Sequence, residues 1–295
     1  MLKETRISSL MTNQKIIFFG NGPLADYTLE TLKNACSEIV FHAREKADLE
    51  EVKRLKSADK TGELHGVLAS FGIMIKNDIL DLFEPEGILN IHPSLLPLYR
   101  GSSPIETAIL NGDTTFSVSV MKLVPAMDAG PIFYQTTLTE QDIFGNTVVS
   151  SSEYKQAIYQ KLASAGAKWL VGHLSDRPLS ETCPSTSQDD DKATFTQKFD
   201  KSMSPLNPDK KTATELLNQI RAFSGFPKSK YQLFGLDCII ISAHVATPEE
   251  ITKCAKNVHT LYIQCYDKSI LIIDEIQPAG RKIMDAKSFL NGYAK

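Results

Sequence analysis

Two polar side chains interrupt an apolar run at residues 87–92, Gly87-Ile88-Leu89-Asn90-Ile91-His92. Gly87 to Ile91 has the turn-bounded, β-favouring composition of a short buried strand. The i, i+2 spacing sends the Asn90 and His92 side chains off one face of it. A carboxamide N–H fixed beside an imidazole at a strand's carboxyl end suits polarising a carbonyl oxygen and moving one proton. Pro93 and Pro97 stiffen the exit, and Gly101 frees the backbone before Ser102 or Ser103 caps a helix with Pro104 in its first turn. Taken alone, Asn-x-His also arises at ordinary strand ends. Ser94 adds a hydroxyl, but it lies two residues from His92 and has no Gly-x-Ser-x-Gly elbow, which excludes a nucleophilic serine.

The whole run Asn90-Ile91-His92-Pro93-Ser94-Leu95-Leu96-Pro97-Leu98-Tyr99-Arg100-Gly101 resembles the signature of the enzymes that use 10-formyltetrahydrofolate as formyl donor. In that family the Asn and His are catalytic and an Asp in a downstream loop completes the set. Val124-Pro125-Ala126-Met127-Asp128-Ala129-Gly130-Pro131-Ile132 resembles that loop, which implies Asp128. The resemblance implies an open α/β sheet with its active site beyond the strand ends. Phe71-Gly72-Ile73-Met74-Ile75 resembles the family's segment that holds the pterin ring, largely through backbone groups. The same residues read equally well as core at a strand-to-helix turn. Ser94, Leu95, Leu96 and Pro97 are the folate contacts implied within the signature.

The chemistry follows from the groups. Moving a formyl group from a folate nitrogen to an amine is acyl transfer through a tetrahedral intermediate, and one fixed donor to the developing oxyanion contributes on the order of 3 kcal/mol. Asn90 is a neutral donor of that kind. The attacking amine loses a proton and the folate nitrogen gains one; imidazole titrates near neutrality, so His92 is the candidate shuttle. Asp128 would orient the imidazole and stabilise its charged form. The reaction needs no metal, and no second His or Cys stands at ligand spacing. Tyr99 and Arg100 lie where a loop can cover the substrate. Arg100 can meet a phosphate or a carboxylate of the substrate, or pair with a local acid.

Other stretches must position these groups. Lys15–Phe19 reads as a strand, followed by the turn Gly20-Asn21-Gly22-Pro23 and a helix from Leu24 to about Leu32, the opening of an α/β sheet. Gly20-x-Gly22-x-x-Ala25 nominally fits a dinucleotide fingerprint, but Pro23 removes an amide that a pyrophosphate would use. Glu38–His42 reads as the second strand. Ala43–Lys60 is a solvated helix with Leu49, Val52 and Leu55 at packing spacing, and Gly66–Ser70 is the third strand. Thr115–Val124 alternates, with Phe116, Val118 and Val120 on a buried face against Ser117 and Ser119. Ile132–Leu138 is another strand, and residues 151–174 form a long helix. The expected architecture is an open, mostly parallel Rossmann-like sheet over residues 12–176, a linker at 177–192 rich in Pro, Ser, Thr and Asp, and a small β-barrel of the oligonucleotide-binding kind over 193–295. In that last part a helix from about Asp209 to Phe223 precedes apolar segments at Cys238–Ile241, Thr260–Cys265 and Ile270–Ile276.

Ala193-Thr194-Phe195, Ile220-Arg221-Ala222-Phe223 and Ile276-Gln277-Pro278-Ala279-Gly280-Arg281-Lys282 resemble the C-terminal domain of the branch of the family that formylates methionyl-tRNA. That implies initiator methionyl-tRNA as partner. The chain of 295 residues has net charge -3, which excludes a uniformly basic nucleic-acid binder, but residues 193–295 alone carry +4. Arg44, Lys210, Lys211, Arg221, Arg281 and Lys282 are the candidate tRNA contacts, with Lys228 and Lys230 beside them. Two features depart from the family: the segment between the second and third strands is short, and Ser224-Gly225-Phe226-Pro227 replaces its usual Asn-Pro-Trp-Pro. A sugar amine or a purine precursor as acceptor, and a non-catalytic folate- or RNA-binding relative, remain the alternatives. Five scattered cysteines without a C-x-x-C pair suit a reducing, cytoplasmic location, and no run has the length of a membrane span. Residues 1–10 read as an extension before Met11, and the protein is expected to act as a monomer.

Overall fold

Lys15–Phe19 (β1) is apolar after its first residue and pairs in parallel with Glu38–Ala43 (β2) on one side and Leu64–Leu68 (β3) on the other. Burial of Ile16, Ile17, Phe18 and Phe19 on both faces explains the unbroken apolar run. These strands belong to a computed structural model that describes residues 14–35, 37–174, 183–255 and 260–293. The readings made for residues 1–10, Met11, Cys36 and 175–182 lie outside the described residues.

The described chain divides into two units. The first comprises the described parts of Met1–Pro104, Thr115–Leu138 and Tyr159–Thr196; the second those of Ile105–Thr114, Thr139–Ile158 and Gln197–Lys295. The sheet of the first runs β2-β1-β3-β4-β5-β6, with β4 Ile88–His92, β5 Thr115–Lys122 and β6 Ile132–Thr139. The four strands β1 to β4 are parallel and β5 runs antiparallel to β4. The helices Pro23–Asn34 (α1), Leu49–Ala58 (α2) and the short Asn77–Leu80 (α3) connect the parallel strands. The α2 helix is shorter than the solvated helix expected over residues 43–60, because a 3-10 turn at Lys46–Asp48 precedes it. There the Asp48 carboxylate accepts the backbone N–H groups of Arg44 and Glu45 and closes a separate capping turn.

The strand that carries Asn90 and His92 is buried throughout, with β3 on one edge and β5 on the other. Pro104–Asn111 (α4) opens on the proline expected in its first turn. Glu140–Phe144 (α5) and the long Ser151–His173 (α6) follow β6. Residues 159–173 of α6 contribute Leu162, Ala163, Ala167 and Leu170 to the core. Gly166 is the point of closest approach, since a Cβ there would lie 2.9 Å from Cγ2 of Ile91, the residue between Asn90 and His92.

In the second unit β7 (Ser229–Leu233), β8 (Leu236–Val245), β9 (Tyr262–Gln264), β10 (Ile270–Pro278) and β11 (Met284–Asp285) form an antiparallel sheet ordered β11-β10-β8-β7, with β9 also on β10. This is the small barrel-type sheet anticipated for the C-terminal part. Its core joins Leu216 and Ile220 of Ala213–Ala222 (α7) to Ile240, Leu271 and Ile276, with Phe289 from Ala286–Tyr293 (α9). A reciprocal box starts α7: Thr212 Oγ1 accepts the Glu215 N–H (3.2 Å) and Glu215 accepts the Thr212 N–H (2.7 Å). Pro248–Ala255 (α8) and α9 were not anticipated, nor was β7, whose Ser229-Lys230-Tyr231-Gln232-Leu233 is too polar to announce a strand. No described helix is long and apolar enough to cross a membrane.

The Gly166 contact supplies a stability test. Replacing Gly in a helix gains up to about 1 kcal/mol of propensity, whereas forcing bulk against a packed strand costs about 1–3 kcal/mol. Gly166→Val is therefore expected to lower the denaturant midpoint without changing the slope. A midpoint at or above the parent's would show that α6 yields at this position.

Candidate active site

The carboxyl end of β4 presents Asn90 and His92, 5% exposed each. Polar groups this deep in an all-buried strand need partners or a ligand. His92 has partners on both ring nitrogens. Its Nε2 lies 3.0 Å from the Tyr99 carbonyl oxygen, which can only accept, so Nε2 carries a proton. Its Nδ1 faces Oδ1 of Asp128 at 3.7 Å. With Nε2–H held on Tyr99, Nδ1 is the ring nitrogen left facing the carboxylate. Asn90 makes no side-chain hydrogen bond among the described residues and is not one of the sealed, unsatisfied groups. Its amide is free for a ligand.

Both partners of His92 come from strained turns. Tyr99 (φ 58°) and Asp128 (φ 49°) occupy the left-handed region that disfavours a side chain. Each turn is fixed from outside. Asp128 Oδ2 accepts the Gly101 N–H at 2.8 Å, tying the two loops together. Gly130 lies so close to the Lys122 carbonyl oxygen that a Cβ would meet it at 1.8 Å, so the return of this loop requires glycine.

The residues implied for folate divide between core and surface. Phe71 is buried, edge-on to Phe19, and Ile73 packs against the same cluster. Gly72 (φ 68°) has nothing within 4 Å of its Cβ direction, and Met74 is 75% exposed. In the signature, Ser94 donates to the Leu98 carbonyl (2.7 Å), Leu95 is exposed, and Leu96 is buried with Met121 and Ile132. The Pro97 carbonyl accepts the Thr194 N–H at 3.2 Å. Phe71 and Leu96 thus turn their side chains into the core and away from a ligand.

Several site-forming residues escaped the sequence. Ser119 was read on a solvent-facing side of β5, yet it is fully buried, because the signature loop covers that face. Its hydroxyl donates to the Ser94 carbonyl (2.6 Å) and accepts the Leu96 N–H (3.2 Å) and Gln135 Nε2 (2.9 Å). Gln135 also donates to the Leu96 carbonyl at 2.9 Å. Arg100, left open between substrate and local acid, is 4% exposed and donates to Asp190 (2.7 Å) and to Gln188 (2.8 Å). The local acid holds it. The only hint of Ser119 in the sequence was a small polar residue beside a hydrophobic one, which many exposed strand faces share.

The basic candidates of the second unit differ in their surroundings. Lys210, Arg281 and Lys282 are exposed, while Lys211 donates to Gln219 at 2.7 Å. Arg221 turns away from solvent. Its guanidinium lies 4.2 Å from the centroid of Tyr154, burial lowers its pKa, and its Nε has no hydrogen-bond partner among the described residues. The Tyr154 phenol donates to Glu140, and burial followed by that bond raises its pKa. Arg221 is therefore part of an internal cluster. Lys228 and Lys230 line a cleft of about 810 Å³ whose floor is Cys238, Ile239, Pro278, Ala279 and Gly280. In the first unit Arg44 is exposed, and its carbonyl holds the Asn21 amide (3.0 Å) in the first turn. Among the described residues no group of three His, Cys, Asp or Glu is arranged to hold a metal ion.

Residues 15–174 match the formyl transferase family and residues 201–294 match the formyl transferase C-terminal domain. The chain belongs to the formyl transferase family. It is a formyl-transferring enzyme by that membership. It is 33% identical over 238 residues to a methionyl-tRNA formyltransferase of Methylococcus capsulatus, an alignment covering 77% of this chain and 71% of the relative. Among solved structures, HypX of Aquifex aeolicus in complex with tetrahydrofolic acid superposes on 96% of this chain and 48% of its own, with TM-score 0.63 and 14% identity. The sugar 3N-formyl transferase WlaRD, solved with dTDP and 5-N-formyl-THF, superposes on 92% of this chain and 100% of its own, with TM-score 0.59 and 19% identity. These two likenesses concern the fold.

Ser119 offers a direct test of the loop's attachment. Ser119→Ala leaves the Leu96 N–H and the Ser94 carbonyl without their buried partner, which costs about 1–3 kcal/mol. We expect a matching drop in unfolding free energy by denaturant titration; a loss below about 0.5 kcal/mol would mean that water replaces the hydroxyl.

Proposed function

We propose that this enzyme transfers the formyl group of 10-formyltetrahydrofolate to the amino group of methionyl-initiator-tRNA, with Asn90, His92 and Asp128 as the reacting set. The reading rests on one observation: a carboxamide with no side-chain hydrogen bond among the described residues, an imidazole held through Nε2 and a carboxylate facing its Nδ1 converge at the end of one buried strand. The donor supplies an activated formyl group. Asn90 donates to the carbonyl oxygen under attack. Nδ1 of His92 takes the proton from the incoming amine and returns it to the leaving nitrogen, while Asp128 stabilises the imidazolium between the two transfers. The open backbone at Gly72 and the exposed Met74 and Leu95 suit a flat pterin ring, so the residues present fit a folate.

Methionyl-tRNA as acceptor is supported by the relative in Methylococcus capsulatus and by the C-terminal domain match. Catalysis is assigned to residues 12–176 and tRNA binding to 193–295, joined by 177–192, in a monomeric cytoplasmic enzyme. A sugar amine is the second reading, favoured by the likeness to the sugar 3N-formyl transferase along that protein's whole length and by the short segment between β2 and β3.

Purified protein with formyl donor and charged initiator tRNA should yield formyl-methionine, and a dTDP-linked amino sugar offered in its place should not react. The reverse result transfers the assignment to the sugar. Asn90→Ala and His92→Ala are each expected to lower kcat by about 10²–10³-fold while the donor's KM changes little. Near-parental turnover in either variant removes that residue from the mechanism. For the acceptor, Arg281→Ala with Lys282→Ala should raise the tRNA KM and reduce the slope of log K against log salt by about 1–2. Unchanged salt dependence would clear that pair.

A further inference from the structure

The segment that completes the site lies between the two family matches, which end at residue 174 and resume at residue 201. Residues 194–196 run beside the signature as an extra rung. The Thr194 carbonyl accepts the Arg100 N–H (2.8 Å), the Arg100 carbonyl accepts the Thr196 N–H (2.8 Å), and Thr194 Oγ1 accepts the Tyr99 N–H (2.8 Å). A Cβ at Gly101 would meet Thr196 Oγ1 at 2.7 Å, so the two segments approach closely there. Six residues upstream of Thr194, Gln188 reaches across the site. Its Oε1 accepts from Nε (3.1 Å) and Nη2 (2.8 Å) of the buried Arg100. Its Nε2 donates to the carbonyls of Asp128 and Gly130, each at 2.8 Å.

We propose that Gln188 is a positioning residue for Asp128, holding the turn that aims the carboxylate at His92. The inference rests on the role given to Asp128 above. Three features of the geometry carry it. Asp128 sits at φ 49°, a conformation its side chain disfavours, so something outside the loop must hold it. Gln188 grips the carbonyls on both sides of Ala129, which fixes the orientation of the Asp128 peptide. The other end of the same amide is locked by a guanidinium that is itself anchored by Asp190. Only a side chain with acceptor and donor at this length does both: Glu lacks the N–H groups and Asn is one methylene short.

Gln188→Glu separates the two halves of this contact. It keeps the size of the side chain and the acceptor for Arg100, and it removes both donors to the Asp128 loop. Gln188→Ala removes everything and serves as the second variant. Two measurements read the outcome. The Gly101 amide, whose partner is Asp128 Oδ2, should exchange with solvent at least ~10-fold faster in Gln188→Glu, while amides of β1 and β3 keep their protection. With whichever acceptor the parent uses, kcat should fall by ~10-fold or more at a donor KM within ~3-fold of the parent's, as a misaimed catalytic group predicts. Unchanged Gly101 exchange in a folded Gln188→Glu overturns the proposal, and so does a kcat within twofold of the parent. Loss of donor binding in step with kcat also overturns it, because that marks a general collapse of the site. A parent inactive on methionyl-tRNA counts against the acceptor assignment alone, and Gly101 exchange then decides the role of Gln188.

Discussion

The imidazole of His92 is held at both nitrogens, by a backbone carbonyl at Nε2 and by a carboxylate facing Nδ1, and neither holder belongs to the strand that carries it. That arrangement places the Nε2 proton on a carbonyl and leaves Nδ1 turned toward a carboxylate. It also makes the site a product of two loops rather than of β4 alone. A strand end fixes where a side chain starts; the hydrogen bonds around the ring decide its tautomer and direction. The strained φ of Tyr99 and of Asp128 belongs to the same design, since each turn bends so that an oxygen faces the ring. A left-handed conformation costs a residue with a side chain roughly 1–2 kcal/mol, and hydrogen bonds of about 1 kcal/mol each offset that when several converge.

The anchors of the two loops are correspondingly polar and buried. Ser119 and Gln135 fix the first half of the signature, through the Ser94 and Leu96 carbonyls and the Leu96 N–H. Arg100, Gln188 and Asp190 fix its second half and the Asp128 loop. A guanidinium at 4% exposure with two acceptors is committed to structure, because stripping it of those partners to greet a substrate phosphate would leave a buried, uncompensated charge. The arginine of the signature is thus explained here by what it braces. Arg221 shows a related arrangement in the second unit, where the guanidinium of a helical residue lies over the Tyr154 ring.

Much of the first unit was legible because its signals are local. Continuous apolar runs bounded by glycine or proline announced β1 and β4, and alternation announced β5. Element ends moved by a few residues where a cap intervened, as at Asp48 before α2. The second unit was less legible. The β7 strand carries Lys230 and Gln232 outward, and α8 and α9 are single-face helices of eight residues each, short enough for their periodicity to be lost among neighbouring turns.

From the sequence alone came the identities of the groups: an amide and an imidazole two residues apart on a buried strand, an aspartate two residues before a glycine downstream, and a family resemblance reaching nearly to the C-terminus. Those are matters of residue type and short spacing, which a linear chain records directly. The tertiary structure alone decided that Asp128 meets Nδ1, that Tyr99 claims Nε2, that Arg100 is a brace, and that Gln188, 96 residues beyond His92, closes the ring around them. The reason is physical. Each of these contacts joins polar groups brought together by burial of unrelated apolar segments, and a polar residue in a loop carries no mark of the partner that folding will supply.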